Sequence, residues 1–283
     1  QSAKGLEDEL SDAVAAARRL MPDDIVLLVP LEQPDVVERC ITAFMQAPAA
    51  IHLHLDRSNP LHRFSGPQFK GEAGISSFRL PADSMSGVGE AAKRVCDIVL
   101  SLIALVLLAP LFALVAIAIK LDSPGPVLYK QARHGFNKKR FRIFKFRSMR
   151  IAEHGASIKQ AVPNDPRVTR VGRILRRYNI DELPQLLNVL RGEMSLVGPR
   201  PHAIVHDKAF ETEISLYARR HNVKPGITGW AQVNGLRGET DTPEKMWQRV
   251  HFDLHYIDNW SLWLDFKILL KTVYVVATGY GAM

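Results

Sequence analysis

Cysteine is nearly absent from this chain of 283 residues: only Cys40 and Cys96 occur. Two thiols at that spacing exclude a disulfide scaffold and a thiolate metal motif, and they fit buried thiols in a reducing compartment. No Gly-rich phosphate loop follows the early strand-like segments, so nucleotide binding in the N-terminal part has little support. His251 and His255 have a helical metal-binding spacing, but no HExxH pattern or third ligand accompanies them, which favours a structural or interfacial role. Acidic residues are scarce between 120 and 177, where 16 Lys or Arg face only Asp122, Glu153 and Asp165 in a chain of net charge +8. So concentrated a positive field calls for an anionic partner; nucleic acid, anionic headgroups and a phosphorylated substrate all qualify. An initial methionine is also lacking at Gln1, and upstream sequence is expected.

What is present is organised around residues 98–119, in which Ser101 is the only polar side chain. As a helix this run measures roughly 33 Å, enough for a hydrocarbon core of about 30 Å. Pro110 stands at its middle, where it removes a backbone hydrogen bond and marks a hinge. Both flanks are basic, with Lys93 and Arg94 before the run and Lys120, Lys130 and Arg133 after it. The positive-inside rule places both flanks on the cytoplasmic side, which predicts a kinked re-entrant hairpin rather than a straight span.

Before the run, apolar residues at Leu6, Leu10, Val14, Ala17 and Leu20 predict a helix, and residues 25–29 a buried strand. A second helix over 34–45 and a strand over 51–55 follow. Two such units are too few for a doubly wound sheet, so residues 1–56 read as part of a Rossmann-like α/β module and 57–89 as a linker. After the run, Ser123-Pro124-Gly125-Pro126 ends the helix, and residues 140–147, RFRIFKFR, suit a strand with one basic face.

The chemistry-bearing residues come next. Asp181-Glu182-Leu183-Pro184 places two carboxylates just before a helix that runs through Leu187 and Leu190 to a cap at Gly192. Acids there complement the helix dipole, and the same helix end attracts phosphate. With Arg176 and Arg177 upstream, the site can hold a diphosphate, Mg²⁺ and a carboxylate nucleophile. A free Asp, with a pKa near 3.9, is ionised at neutral pH and needs no base. Arg200, held between Pro199 and Pro201, suits bidentate phosphate binding. Residues 225–230 and 234–240 form Gly-punctuated loops that can wrap a nucleotide or sugar. All four tryptophans lie between 230 and 263, and Trp260 and Trp263 begin an amphipathic stretch over 262–277 that suits an interfacial helix.

Four ordered motifs, KFRSM at 145–149, DELPQ at 181–185, GEMSLVGPRP at 192–201 and PGITGWAQVNG at 225–235, stand behind the proline-bearing apolar run. Together they resemble the bacterial sugar transferase family, the monotopic polyprenyl-phosphate phosphoglycosyl transferases. The resemblance covers about residues 90–283, and 237–265 looks most like the members that load glucose phosphate onto undecaprenyl phosphate. It implies an α+β protein: a compact, mostly helical catalytic domain over 90–283 on a re-entrant segment, behind the partial α/β module. Asp181 would attack the β-phosphorus of a UDP-sugar, UDP-glucose by the closest match. UMP would leave, and undecaprenyl phosphate would accept the phosphosugar at the cytoplasmic face of the inner membrane, starting an exopolysaccharide repeat unit. Glu182, with Asp181, would hold Mg²⁺; Lys145, Arg147, Arg176, Arg177 and Arg200 would bind phosphates, with Asp265 a further polar participant. UDP-sugar, undecaprenyl phosphate and membrane lipid are then the partners; no nucleic acid is expected, and a homodimer is left open. The rival from another class is a non-catalytic membrane-anchored adaptor binding anionic lipid or nucleic acid, which a disrupted acidic dyad or Pro-Arg-Pro loop would have favoured.

Overall fold

The computed structural model describes residues 3–22, 24–29, 33–47, 49–54, 77–79, 88–150, 165–204, 207, 210–211, 214, 216–236 and 242–278. Most of the linker and the loop 237–241 lie outside the described residues.

The amphipathic N-terminal segment forms α1 (Ala3–Leu20), followed by β1 (Asp24–Leu27), α2 (Pro34–Phe44) and β2 (Ala50–His54). The parallel pairing of β1 with β2 across α2 buries Leu27, Cys40 and Ile51. A third strand, β3 (Ser77–Arg79), pairs antiparallel with β2 inside the stretch expected to be a linker. The result is a three-stranded mixed sheet, smaller than a Rossmann module. It touches the rest of the chain through polar contacts. Asn137 Nδ2 donates to the Arg18 carbonyl at 2.6 Å, and Asn222 Nδ2 to those of Met45 and Ala47 at 3.0 and 3.1 Å.

The apolar run lies in α3 (Val88–Asp122), a single 35-residue helix that continues through Pro110. The expected hairpin is therefore not a pair of separate helices. By length and composition α3 suits membrane association. Its first turns carry buried Lys93, Asp97 and Ser101, and its last turns buried Val115 and Ile119. Between them Leu102, Ile103, Val106 and Leu107 are exposed, more than half of each side chain facing outward. Cys96 is exposed on the same helix, contrary to the expected burial of both thiols.

Antiparallel strands β4 (Leu128–His134) and β5 (Arg140–Phe146) form a ribbon in which Tyr129 lies opposite Lys145 and Arg133 opposite Phe141. Because side chains alternate along a strand, Arg140 and Arg142 face away from Lys145, so the expected single basic face is split. At its Leu128 end the ribbon packs Phe146 on Val115 and Ile119 of α3 and on Leu175 of α4 (Arg170–Arg177). A 3₁₀ turn, Ile180–Gln185, leads into α5 (Leu186–Arg191), which ends at Gly192 in the left-handed region. Short parallel strands β6 (Ser195–Val197) and β7 (Gly226–Thr228) follow. The one-turn α6 (Trp230–Val233), α7 (Pro243–Asp258) and α8 (Leu262–Thr278) pack over them around Tyr256, Ile257 and Ile268.

The cations before the apolar run do not face solvent. Lys93 Nζ lies 2.6 Å from Asp265 Oδ2 and 3.1 Å from the Val197 carbonyl. Tyr256 Oη donates to Asp265 Oδ1 at 2.7 Å, and Trp260 Nε1 to Oδ2 at 3.2 Å. Arg94 caps α5 by donating to the carbonyls of Val189 and Leu190 at 2.6 and 2.9 Å. Asp97 Oδ1 accepts from the Leu196 amide at 3.0 Å and from Ser195 Oγ at 3.1 Å. These contacts fasten the base of α3 to β6, α5 and α8.

Removing one member of a buried ion pair leaves the other charge unpaired, which costs about 3–5 kcal/mol. Asp265→Ala is expected to lower unfolding stability by about that amount, and Lys93→Met with Asp265→Leu by clearly less. Denaturant unfolding of the detergent-solubilised protein checks both; equal losses would show that the pair does not act as one.

Candidate active site

Asn179 precedes the acidic pair in the left-handed region (φ 57°), a conformation that asparagine tolerates better than most residues. From there the chain turns into the 3₁₀ segment, and the Glu182 amide donates to the Asn179 carbonyl at 3.2 Å. Asp181 and Glu182 therefore sit inside a 3₁₀ turn that feeds the short helix expected to end at the Gly192 cap. Both side chains are buried.

Their surroundings differ. Lys145 Nζ lies 2.7 Å from Glu182 Oε1, and Arg200 Nη1 lies 2.8 Å from Oε2, with Arg200 Nη2 also on Oε1. Burial alone would push the Glu182 carboxyl up, but Arg200 and Lys145 hold it well below the usual carboxylate range. Asp181 accepts no hydrogen bond among the described residues. Burial, the field of Lys145 and repulsion from Glu182 act on it in that order, and the balance pushes its pKa up to about 6. At pH 7 roughly nine-tenths of such a group is ionised, a narrower margin than the free-Asp value implies. One carboxylate is thus a clamped anion and its neighbour an unclamped carboxyl group.

Arg200 is positioned by paired backbones. The Gly198 amide donates to the Thr228 carbonyl at 2.9 Å, and the Gly226 amide to the Pro199 carbonyl at 3.0 Å. A Cβ on Gly226 would fall 2.1 Å from the Gly198 nitrogen, so these strands approach this closely only without a side chain there. The PGITG segment therefore supports the Pro-Arg-Pro loop. Arg220 Nη2 donates to the Arg200 carbonyl at 2.8 Å while its Nε pairs with Asp253 Oδ2 at 2.8 Å. This buried brace was not apparent in the sequence, because no motif links Arg220, Asp253 and Arg200.

Other expected site residues lie elsewhere. Arg147 is buried and caps the C-terminus of α3, donating to the Ser123 and Pro124 carbonyls at 2.6 and 2.8 Å; the helix-ending turn uses its donors. Asp265 is occupied by Lys93, Tyr256 and Trp260. Trp260 is accordingly buried rather than interfacial, whereas Trp263, Phe266, Leu270, Val273 and Tyr274 expose one apolar face of α8. Arg176, exposed at the end of α4, contributes its field to Asp181. Arg177 lies over the Tyr178 ring at 5.8 Å. His251 and His255 stack on Trp247 and Trp230.

A group positioned to chelate a metal ion lies at the end of β4, where ligand atoms of His134, Asp207 and His221 fall within 4.8 Å of one another. His134 Nδ1 is 2.9 Å from Asp207 Oδ2, and Tyr217 Oη donates to Oδ1 at 2.7 Å. Two imidazoles and one carboxylate suit a transition metal better than Mg²⁺, which prefers oxygen donors.

The acidic pair thus lies in the field of Lys145, Arg176 and Arg200. Residues 88–279 match the model of the family described as bacterial sugar transferase, and the chain belongs to that family. It is 54% identical over 190 residues to the UDP-glucose:undecaprenyl-phosphate glucose-1-phosphate transferase of Escherichia coli K12, covering 67% of this chain and 41% of that protein. It is 40% identical over 268 residues to the Klebsiella pneumoniae protein of the same name, covering 94% of this chain and 57% of the relative. A UDP-N-acetylgalactosamine-undecaprenyl-phosphate N-acetylgalactosaminephosphotransferase of Aeromonas hydrophila is 47% identical over 193 residues, covering 67% of this chain and 44% of the relative. The chain spans about half the length of these curated relatives.

With Asp181 as the attacking group that the sequence leads one to expect, the raised pKa has a definite sign: the ionised form is the reactive one, so activity is lost as pH falls through about 6. The logarithm of kcat/KM, which reports the free enzyme, is expected to rise with unit slope below that pH and level off above it. A profile flat down to pH 4.5 would contradict the environment described for Asp181.

Proposed function

We propose that this chain transfers a hexose-1-phosphate, glucose-1-phosphate by its similarity to the Escherichia coli and Klebsiella pneumoniae proteins, from a UDP-sugar to undecaprenyl phosphate. The observation that carries the reading is the asymmetry of the dyad: Glu182 is clamped by Lys145 and Arg200, while Asp181 is buried without a hydrogen-bond partner among the described residues. An Asp181 oxygen attacks the β-phosphorus of the donor. The bond to the bridging oxygen breaks, and UMP leaves with its electron pair. The aspartyl-phosphosugar is then attacked by a phosphate oxygen of undecaprenyl phosphate, which frees Asp181. Arg200 and Lys145 exchange part of their hold on Glu182 for the diphosphate oxygens, with Arg176 in support. Glu182 and Asp181 supply the oxygens to hold Mg²⁺, whose charge screens the diphosphate when bound.

The reaction is set at the cytoplasmic face of the inner membrane, where it starts an exopolysaccharide repeat unit. Both ends of α3 pack on one water-soluble body, through Lys93 and Asp97 at one end and Val115 and Ile119 at the other. A helix crossing the bilayer would carry one end away from that body, so α3 enters and leaves through one leaflet, with Pro110 at the turning point. The freed backbone carbonyl near Pro110 is then satisfied by local side chains or water. The donor pair Lys145–Arg200 and the acceptor's headgroup meet near the same plane.

UMP release from a panel of UDP-sugars with undecaprenyl phosphate tests the reaction. UDP-glucose is expected to lead by at least about tenfold in kcat/KM, about 1.4 kcal/mol. Asp181→Asn is expected to abolish UMP release while leaving the thermal midpoint at pH 7 unchanged or higher, since it removes a buried charge. Glu182→Gln should weaken Mg²⁺ dependence and rate. Near-normal release by Asp181→Asn would eliminate the covalent step.

Cysteine labelling tests the topology. In a background without Cys40 and Cys96, single cysteines at Glu90 and Pro126 should resist a membrane-impermeant thiol reagent in intact cells and react once the inner membrane is opened. Gly125 is unsuitable because its φ is +122° and a Cβ there would lie 2.0 Å from an Arg147 nitrogen. Labelling of either position before opening would show a spanning segment.

A further inference from the structure

We infer that Arg133 is a phosphate-binding residue for the nucleotide donor, gripping the phosphate nearer the nucleoside while Lys145 and Arg200 hold the one that is attacked. The inference deepens the proposed reaction and rests on it. In the sequence Arg133 counts only among the cations flanking the apolar run. The fold instead turns it toward the site. Tyr129, Gln131 and Arg133 project from the same face of β4, and Tyr129 lies opposite Lys145, whose ammonium meets Glu182. A backbone bridge between Arg133 and Ala203 sets this end of β4 against the loop that carries Arg200.

Its electrostatic position is unusual. Lys145 and Arg200 are paired with Glu182, Arg220 with Asp253 and Lys93 with Asp265. Arg133 has no ion pair among the described residues. Its Nη2 donates to the neutral Gln131 side chain, and its buried Nε has no hydrogen-bond partner among the described residues. Burial and the nearby Arg200 push its pKa down to about 10, with Asp207 and Glu182 opposing them. A half-buried guanidinium in the field of a second one, without an ion pair among the described residues, is costly to the empty protein. A bound anion offsets that cost, and a planar fork with an unused Nε–H suits phosphate oxygens.

The direction of the ribbon selects the phosphate. Its Leu128 end packs against the C-terminal part of α3, and Arg133 lies five residues further along the strand, roughly 17 Å from Leu128. The acceptor phosphate is tethered to a lipid chain at the membrane plane. The donor is water-soluble and has a second phosphate that extends away from the attacked one.

Arg133→Gln and Arg133→Lys in the whole chain test this, with UMP as the probe for binding and UDP-glucose and undecaprenyl phosphate for kinetics. Arg133→Gln is expected to raise KM for the donor at least tenfold, to leave KM for undecaprenyl phosphate within about twofold, and to remove most of the UMP-induced rise in thermal midpoint; Arg133→Lys should recover part of each. The thermal midpoint of the ligand-free protein should stay level or rise, because a half-buried charge without an ion pair among the described residues is lost. An unchanged donor KM and UMP shift would overturn the inference. A fall in the ligand-free midpoint with kcat and both KM values worsening together would assign Arg133 a structural role, and a rise confined to the acceptor KM would assign it to the lipid phosphate. The UMP shift requires no turnover. A wild-type protein that binds UMP but turns over no UDP-sugar would therefore count against the proposed reaction, while leaving the role of Arg133 to be decided by the shift.

Discussion

The ion cluster of Glu182 with Lys145 and Arg200 is the interaction on which the site depends. It joins three elements distant in sequence: a strand of the ribbon, the 3₁₀ turn and the Pro-Arg-Pro loop. Two cations converge on one carboxylate, so the buried charge at Glu182 is compensated and its carboxyl is held ionised. Asp181, one residue earlier, points into the same field without being clamped. Asn179, in the left-handed region, opens the turn that carries both carboxylates. The cluster also suits the proposed reaction, since an arginine that grips a carboxylate can grip a phosphate in the same geometry.

The cluster keeps its geometry because the surrounding body is fastened to α3 at both ends. Lys93 and Asp265 form a buried pair at one end, and Arg147 closes the helix terminus at the other. Both contacts tie polar groups that a membrane-associated helix has to satisfy internally. The exposed apolar stretch between them is then free to meet lipid, and the exposed face of α8 adds a second apolar surface. The small N-terminal sheet is attached differently, by hydrogen bonds from Asn137 and Asn222 to backbone carbonyls, so the catalytic body does not rely on it for its core.

Much of this was legible in the sequence where the signal is local. The apolar run, the amphipathic α1 and α2, the turn at Ser123–Pro126 and the Gly192 cap all follow from residue types at short spacing. The acidic dyad and Arg200 also stand out, because Asp-Glu before proline and Arg between prolines are unusual settings. The misreadings concern where a charged side chain points. Arg147 and Lys145 are two positions apart on one basic strand, yet one caps a helix and the other enters the site. Lys93 reads as a flanking cation and Asp265 as a polar participant, although they neutralise each other 172 positions apart. Arg133 and Arg220 carry no motif of their own.

The sequence by itself determined the long apolar helix and the helices and strands α1, β1, α2 and β2, because each depends on the hydrophobicity or backbone preference of a few adjacent residues. Only the tertiary structure decided which of the many cations face the dyad, how the Asp181 and Glu182 pKa values diverge, and why both ends of α3 return to one body. Those properties come from charges and dipoles that act through space over a few ångströms, and the folded backbone alone brings residues so far apart in the chain within that distance.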